Sequence, residues 1–105
     1  MALVSCGADP GDIAAFERSE ITSTIAVGSA FNSAEASLFK RGFECQLSSG
    51  EYATESGDLV SAPSFLDCSK TLRTNLVCKF RMQVVVVPQH STVGSVHIRQ
   101  RDACL

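Results

Sequence analysis

The fold of this chain is decided by residues 76–87, LVCKFRMQVVVV. Apolar side chains alternate with polar ones from Cys78 to Val84, a period of two that is typical of a β-strand with one buried face. The turn-prone stretch PQHST comes next, and VGSVHIRQR after it indicates a returning strand. The C-terminal part of the chain is therefore predicted to be an antiparallel β-hairpin. Its inward side chains are Cys78, Phe80, Met82, Val84, Val86, Val96 and Ile98.

The segment before this hairpin predicts two more strands with a loop between them. Residues 43–48 alternate apolar and polar side chains, and Leu66 with Cys68 opens a further strand. Residues 48–64 are mostly polar and contain two glycines and one proline, a composition that predicts a long loop. Long loops in compact domains are often functional or mobile, so this one is a candidate binding segment.

The clearest helical signal in the chain is the stretch FNSAEASLFKRGF. Asn32 is a strong N-cap residue, and Glu35 stands three positions later, as in a capping box. Gly42 suits the left-handed position that follows a helix, and Phe43 can fold back on the last turn. A helix over residues 33–41 is therefore predicted.

An earlier helix is predicted from Pro10 to about Ser19, because proline is well tolerated at the first helical position. The β-branched residues of Ile21–Val27 predict an extended segment after it. Together these elements predict an α+β fold, in which one or two short helices pack on a three- to four-stranded antiparallel sheet. The C-terminal β-hairpin and two disulfides complete the predicted architecture.

Cysteine is the outlying feature of the composition, with five in 105 residues. Their spacings include no C-x-x-C, which argues against a zinc site and against a redox motif. This content favours an oxidised, exported protein, and five reduced thiols in a cytosolic protein are the alternative. The five are Cys6, Cys45, Cys68, Cys78 and Cys104.

The strand registers predict how four of these cysteines pair. A register that pairs the leucines at positions 47 and 66 brings the second and third cysteines side by side. In the C-terminal hairpin, Val84 facing Val96 puts the last two cysteines on one face, a diagonal step apart. A two-residue adjustment would place them directly opposite each other. The predicted disulfides are Cys45–Cys68 and Cys78–Cys104.

Cys6 is left without a partner, and it follows Leu3-Val4-Ser5. These four residues resemble the lipobox of bacterial lipoproteins, in which the cysteine takes a diacylglycerol and the chain is cut just before it. The resemblance implies a membrane anchor of acyl chains such as palmitate on Cys6, each buried CH₂ contributing about 0.8 kcal/mol. It also implies a truncated signal peptide, because only Met1–Ser5 precede the cysteine. Residues 1–12 are then a signal remnant and flexible tether, and residues 13–105 a single small domain.

A weaker resemblance covers more of the chain. The motifs Ile25-x-x-Gly28 and Gly42-Phe43-x-Cys45, with a helix between them and a C-terminal hairpin after them, are similar to small periplasmic lipoproteins of the BamE (SmpA/OmlA) type. Those proteins have two helices followed by a three-stranded antiparallel sheet, so the resemblance supports the α+β architecture. It does not extend to that family's role in assembling outer-membrane barrels.

The outward face of the C-terminal hairpin carries a concentration of positive charge. The predicted register places Arg81 opposite Arg99 and Lys79 opposite Arg101. Like charges directly across a ladder are destabilising, so this face is a candidate contact for an acidic protein, a lipid headgroup or another anionic envelope polymer. The alternative is a solubilising surface whose charges are met by acids such as Glu51, Glu55 and Asp58. The partner-binding candidates are Lys79, Arg81, His97, Arg99 and Arg101.

Several function classes are disfavoured by the sequence. The net charge of −2 gives no reason to expect nucleic-acid binding through the overall field. No apolar run approaches the about 20 residues needed to cross a bilayer. The chain has no nucleophile motif, no glycine-rich phosphate loop and no metal-ligand spacing, and its two histidines are isolated candidates for a base. We therefore expect no catalysis, no cofactor and no metal.

These features predict a membrane-anchored, non-catalytic envelope lipoprotein that binds another macromolecule through its sheet face or its long loop. Such a protein would be an assembly factor, an inhibitor or an immunity-type protein. We expect it on the periplasmic face of a bacterial membrane, the outer membrane being favoured. The alternative is a structural accessory lipoprotein of an envelope or secretion complex.

Overall fold

The computed structural model describes residues 10–105. Two helices come first, α1 (Pro10–Thr24) and α2 (Phe31–Lys40), and four strands follow them. The strands are β1 (Glu44–Ala53), β2 (Leu59–Thr74), β3 (Cys78–Gln89) and β4 (Thr92–Cys104). Each strand pairs antiparallel with the next, in one sheet of order β1-β2-β3-β4. The predicted α+β fold, with its C-terminal hairpin and two disulfides, is confirmed.

The first helix is longer than predicted, because the segment expected to be extended, Ile21–Val27, continues the helix as far as Thr24. Ala14, Ile21 and Ile25 are all buried, and their spacing places them on one face of a helix. Burial of this face against the sheet outweighs the weak preference of β-branched residues for strands.

The predicted tether, residues 1–12, is described only in part. α1 begins at Pro10, as the preference of proline for the first helical position predicted. Asp12 lies in the first turn, where a negative charge is favoured by the helix dipole. Cys6 and the rest of the lipobox lie outside the described residues, so lipid attachment stays a prediction.

The C-terminal end of α2 was predicted correctly, and its N-terminal cap was not. Gly42 has a φ of 92°, and the N–H of Phe43 donates to the carbonyl of Leu38 at 3.0 Å, which closes the helix. At the other end the N-cap is Ala30 instead of Asn32, with no side-chain cap. The N–H of Phe31 donates instead to the carbonyl of Ser91, in the turn between β3 and β4, at 3.0 Å. A tertiary contact therefore replaces the capping box.

The long loop expected over residues 48–64 is wrong, because β1 and β2 extend through it as a hairpin closed by a short turn. The polar composition hid an apolar anchor, Tyr52, which is buried and lies opposite Val60. The register shifts between Ser48 and Gly50, where β2 has an additional residue in the stretch that contains Pro63. A bulge tolerates proline because the missing N–H leaves no ladder bond broken.

The core lies between the helices and one face of the sheet. Its centre is formed by Leu38 and Phe43 from the α2 end and by Met82, Val84 and Val86 from β3, all almost completely buried. The inward alternation of β3 predicted from the sequence is thus confirmed at these three positions. A second, smaller cluster on the opposite side of the sheet contains Tyr52, Phe65 and Val85.

One carboxylate is buried among the apolar groups on the helix side. Glu17 of α1 accepts hydrogen bonds from Arg41 at 2.9 Å and from Lys70 at 2.7 Å, which join α1 to the end of α2 and to β2. Burial by itself would raise the pKa of Glu17, but the hydrogen bonds and charges of the two cations outweigh it and leave the pKa lowered. Lys70 also lies over the ring of Phe43, 5.6 Å from its centroid.

Both predicted disulfides are present, and the second one fixes the hairpin register. Cys78 lies directly opposite Cys104, with the two Cα atoms 4.0 Å apart. Val84 consequently faces Ile98 and not Val96, so the register that was predicted from the valines is wrong by two residues. The Cys45–Cys68 disulfide joins β1 to β2 in the predicted register.

Candidate binding face

The face of the sheet that points away from the helices has an apolar region, formed by Tyr52, Phe65 and Val85, and a polar region on β2, β3 and β4. We call the polar region the open face. Side chains alternate along a strand, so its members are the neighbours of the buried core residues Cys68, Met82, Val84 and Ile98. All five partner-binding candidates predicted from the sequence lie on this face. The open face carries Asp67, Ser69, Lys79, Arg81, Gln83, His97, Arg99 and Arg101.

Three arginines form the centre of the open face. In the observed register Arg81 lies opposite Arg101, and Gln83 lies opposite Arg99. The predicted cross-strand pairs of Arg81 with Arg99 and of Lys79 with Arg101 are therefore wrong. The cause is the two-residue shift between the predicted and the observed register of the hairpin. Lys79 lies opposite Ala103 and is exposed at the end of the row. Two guanidinium groups still face each other across the ladder, an arrangement that is destabilising.

The three arginines have no acidic partner among the described residues. Arg81 donates a hydrogen bond from Nη2 to Ser69 Oγ at 2.9 Å, and Gln83 donates to Asp67 Oδ1 at 3.0 Å. Within residues 10–105 no salt bridge involves Arg81, Arg99 or Arg101. The nearby carboxylates of Asp67 and Asp102 thus accept hydrogen bonds from the amides of Gln83 and Gln100, and the guanidinium groups remain available to a ligand.

A concavity of about 300 Å³ opens between these side chains, lined among others by Ser69, Arg81 and Arg101. A second concavity of about 210 Å³ continues it towards β1, where Glu44 and Gln46 line it, and both share Asp67 and Ser69. Together they form a shallow groove that crosses the strands, basic at the β4 end and acidic at the β1 end. Such a groove suits a ligand with anionic groups at the arginine end.

His97 belongs to the predicted cationic set, but the structure gives it a different environment. Its Nδ1 lies 2.9 Å from Glu55 Oε1, and its ring centroid is 5.2 Å from that of Tyr52. Glu55 comes from the turn between β1 and β2, so this hairpin bends over the open face and reaches β4. We call Tyr52, Glu55 and His97 the clasp.

The electrostatics of the clasp favour an ionised Glu55. Its partial burial alone would raise its pKa, but hydrogen bonds from His97 and from the backbone, including that of Ile98, outweigh burial and lower the pKa. Glu55 therefore stays a carboxylate at neutral pH and holds the imidazole in place. His97 is therefore held within the clasp and is less available to a partner than the arginines are.

The clasp has the connectivity of a serine–histidine–acid relay, because His97 Nε2 lies 3.1 Å from Ser95 Oγ while Nδ1 meets Glu55. Two features favour a structural role. Ser95 pairs with Val87 in the β3–β4 ladder. The alternation of the ladder directs the backbone N–H of Ser95 towards β3, so this N–H is not available to stabilise an oxyanion. The ring of Tyr52 also lies against the imidazole.

The remaining predicted features are reported for the described residues only. No group of three or more His, Cys, Asp or Glu side chains in residues 10–105 is arranged to hold a metal ion. Neither α1 nor α2 has the length and apolarity of a membrane-crossing helix. His90 is exposed in the turn between β3 and β4 with a φ of 61°, and it does not meet His97.

No protein-family model, curated protein or solved structure matches this chain.

The sequence predicts Glu55 as an acid that could meet the cationic charges, but it does not identify Tyr52, Asp67 or Ser69 as parts of the site. Asp67 and Ser69 of β2 carry no motif, and their place on the open face follows only from the β2–β3 register. Glu55 and Tyr52 stood in a segment whose composition predicts a loop. Tyr52, the single tyrosine of the chain, was the available signal, because an isolated aromatic residue among polar neighbours commonly marks a buried anchor.

Proposed function

We propose that this protein is a non-catalytic binding protein of the bacterial cell envelope, which docks an acidic macromolecule on its open face. The observation that carries the proposal is the row of Arg81, Arg99 and Arg101, which lines or borders a groove and has no salt bridge in the described chain. Arginine binds carboxylate and phosphate groups in bidentate geometry, so the chemical class of the partner is anionic.

The placement of the acids supports this proposal over a merely solubilising surface. Of the three acids expected to meet the cationic charges, Glu55 pairs with His97, as the solubilising alternative predicts. Asp58 accepts a hydrogen bond from Ser56, and within residues 10–105 no salt bridge joins Glu51, Glu55 or Asp58 to an arginine of the open face. The chain as a whole has a net charge of −2, so the arginine row is a local positive field on an acidic protein. Such a field attracts an anionic partner.

A lipid anchor on Cys6 is the second part of the proposal. It rests on the lipobox resemblance, and it is supported by the two disulfides, which leave Cys6 as the remaining cysteine of five. Disulfides persist in oxidising compartments, among them the bacterial periplasm. We therefore propose attachment to the periplasmic face of a membrane, the outer membrane being favoured.

A structural accessory role in an envelope or secretion complex is the second candidate, and a separate observation favours it. Phe39 of α2 and Leu47 of β1 are 76% and 68% exposed. Phe39 also lines a concavity of about 480 Å³ with Glu35 and Glu44. Permanent interfaces are more apolar than transient ones, so a resident partner would cover this side and not the open face.

One experiment separates the two candidates. The tagged full chain is recovered from detergent-solubilised envelope as wild type, Arg101→Glu, Lys40→Glu and Phe39→Ser, and bound proteins are quantified. Lys40 is an exposed cation of α2 and makes the charge-matched control. We expect Arg101→Glu alone to lose the partner. Loss with Phe39→Ser and retention with Arg101→Glu would instead support the accessory role.

The absence of catalysis is tested at the clasp. A fluorophosphonate probe phosphonylates serines that are activated by a histidine–acid pair, with fluoride as the leaving group. We expect wild type and Ser95→Ala to be labelled equally weakly. Labelling that depends on Ser95 and on His97 would contradict the proposal and identify a hydrolase.

A further inference from the structure

β4 is an edge strand of the sheet, and most of its free edge is covered by other parts of the chain. Near its start, the N–H of Gly28 donates to the carbonyl of Val93 at 2.8 Å, and the N–H of Val93 donates to Ser29 at 2.8 Å. Further along, the carboxylate of Glu55 takes a hydrogen bond from the backbone of Ile98. Native proteins cover edges in this way to prevent unwanted strand pairing.

Within residues 10–105, no backbone hydrogen bond to a segment outside the sheet covers the edge from Arg99 to Asp102, and the ladder geometry shows which groups face outwards. The Cα distance of 4.0 Å between Cys78 and Cys104 marks a pair that does not exchange backbone hydrogen bonds. Alternation along β4 then directs the N–H and C=O groups of Gln100 and Asp102 away from β3. The backbone groups of the arginines beside them point towards β3.

The side chains around this open edge have a definite pattern. Arg99 and Arg101 project on the open face, about 6.8 Å apart along the strand. On the other side, a groove of about 350 Å³ runs between β4 and the small residues Ala14, Ala15 and Ser19 of α1, with Arg18 and Gln100 at its border. Gln100 donates to Asp102 there at 3.1 Å. There is thus room for a backbone beside β4, with cations on both of its sides.

We propose that the β4 edge at Gln100–Asp102 is a strand-addition site for an extended acidic segment of a protein partner. The added strand bonds to the outward backbone groups of Gln100 and Asp102. Its acidic residues, at alternate positions, lie opposite Arg99 and Arg101, where opposite charges on neighbouring strands are stabilising. This inference rests on the proposed function and names its partner as an acidic peptide strand.

The charge pattern distinguishes such a partner from a second copy of this chain. The outward groups belong to alternate residues, so two β4 edges pair only in registers that bring the arginines of both copies together. Like charges on directly neighbouring strands oppose strand pairing. A strand with acids at alternate positions relieves the repulsion between Arg81 and Arg101 as well, because it adds negative charge to the same row.

The test uses the full chain, isotope-labelled, and a short synthetic peptide that alternates glutamate with valine. We expect the peptide to slow amide hydrogen exchange at Gln100 and Asp102. The amides of Arg99 and Arg101, already bonded to β3, should change little. A peptide with lysine at the glutamate positions, and one with the glutamates adjacent, serve as controls and should leave exchange unchanged. Binding through charge alone would show no such alternation.

Two variants test the backbone and the charges separately. Asp102→Pro removes an outward N–H without breaking a bond to β3, and Asp102→Ala removes only the side chain. We expect binding to be lost with proline and to stay within about twofold with alanine. Arg99→Glu combined with Arg101→Glu should weaken binding at least about tenfold, and Lys40→Glu should not.

The outcomes are distinguishable from one another. Equal binding by Asp102→Pro and Asp102→Ala, with loss in the arginine variants, overturns strand addition and leaves the basic face as the docking site. Unchanged binding in the arginine variants overturns the proposed function as well. If protection of Gln100 and Asp102 rises with protein concentration alone, the edge binds a second copy of the chain. If protection needs anionic vesicles, the edge binds lipid. Either result overturns the inference, and the wild-type exchange pattern decides even if the proline variant does not fold.

Discussion

The two faces of the sheet treat positive charge in opposite ways. On the helix side, Arg41 and Lys70 share the carboxylate of Glu17, within 2.9 Å and 2.7 Å. On the open face, Arg81 and Arg101 lie opposite each other, and no carboxylate meets either of them in the described chain. The buried charges on the helix side are therefore paired with each other, whereas the two arginines of the open face have no carboxylate partner in the described chain. This difference is the reason for proposing the open face as the binding surface.

The difference also predicts opposite responses to mutation. A buried ion pair is costly to break, because the remaining charge is left without a partner. An exposed, unpaired cation contributes little to stability, and one that faces another cation opposes folding slightly. Substitutions on the helix side should therefore lower stability and spare binding, and substitutions on the open face should do the reverse.

The largest effect is expected from Glu17→Gln, which leaves Arg41 and Lys70 without their carboxylate. We expect the free energy of unfolding to fall by about 2 kcal/mol, measured by urea denaturation. Glu20→Gln is the matched control, since it removes only a longer contact of 3.5 Å with Arg41. That control should cost no more than about 0.5 kcal/mol. Equal losses in the two variants would show that Glu17 is not the centre of the cluster.

The same carboxylate makes stability depend on pH. Because folding lowers the pKa of Glu17, its contribution is fully present above the ordinary value of 4.5 and is lost as the pH falls through the lower folded value. Wild type should therefore lose more stability than Glu17→Gln between about pH 5 and pH 3. Thermal unfolding across this range measures the difference. Parallel curves for the two proteins would contradict the assignment.

The clasp lies between these extremes, since Glu55 is half exposed and paired. Glu55→Gln should lower stability by about 0.5 kcal/mol. The clearer measurement is the near-ultraviolet circular dichroism of Tyr52, because the chain has one tyrosine and no tryptophan. We expect this signal to weaken as the ring loses its fixed position against His97. Glu51→Gln, on the same hairpin, should leave the signal unchanged.

The smallest effect on stability is expected from Arg101→Gln. Removing one of two facing guanidinium groups should leave the free energy of unfolding unchanged or raise it by a few tenths of a kcal/mol. The same variant should lose the envelope partner. A clear loss of stability would mean that Arg101 is part of the fold, and the contrast between the two faces would disappear.

The parts of the fold that follow local rules could be predicted from the sequence. The alternation in β3 identified Met82, Val84 and Val86 as core residues, and the glycine signal fixed the end of α2 at Gly42. The disulfides were predictable because each joins strands that are neighbours in the sequence. The arginine face followed from the same alternation.

The errors lie where a distant contact decides the local structure. The α2 cap is supplied by the turn at Ser91, which no pattern within the helix indicates. The extension of α1 depends on burial of Ile21 and Ile25 against a sheet formed much later in the chain. Most of residues 48–64 lie in β1 and β2, and Tyr52 packs there on Phe65, with ring centroids 5.3 Å apart. Composition and propensity carry none of this information.

The order of the two disulfides has a consequence for assembly. Cys45 pairs with Cys68 before the chain reaches Cys78, and Cys78 pairs with Cys104, so the two loops follow each other and do not interlace. In a chain that enters an oxidising compartment from its N-terminus, each cysteine of a pair meets its partner before the next pair arrives. When Cys6 carries a lipid and has no free thiol, sequential oxidation of the other four cysteines yields the native connectivity without isomerisation.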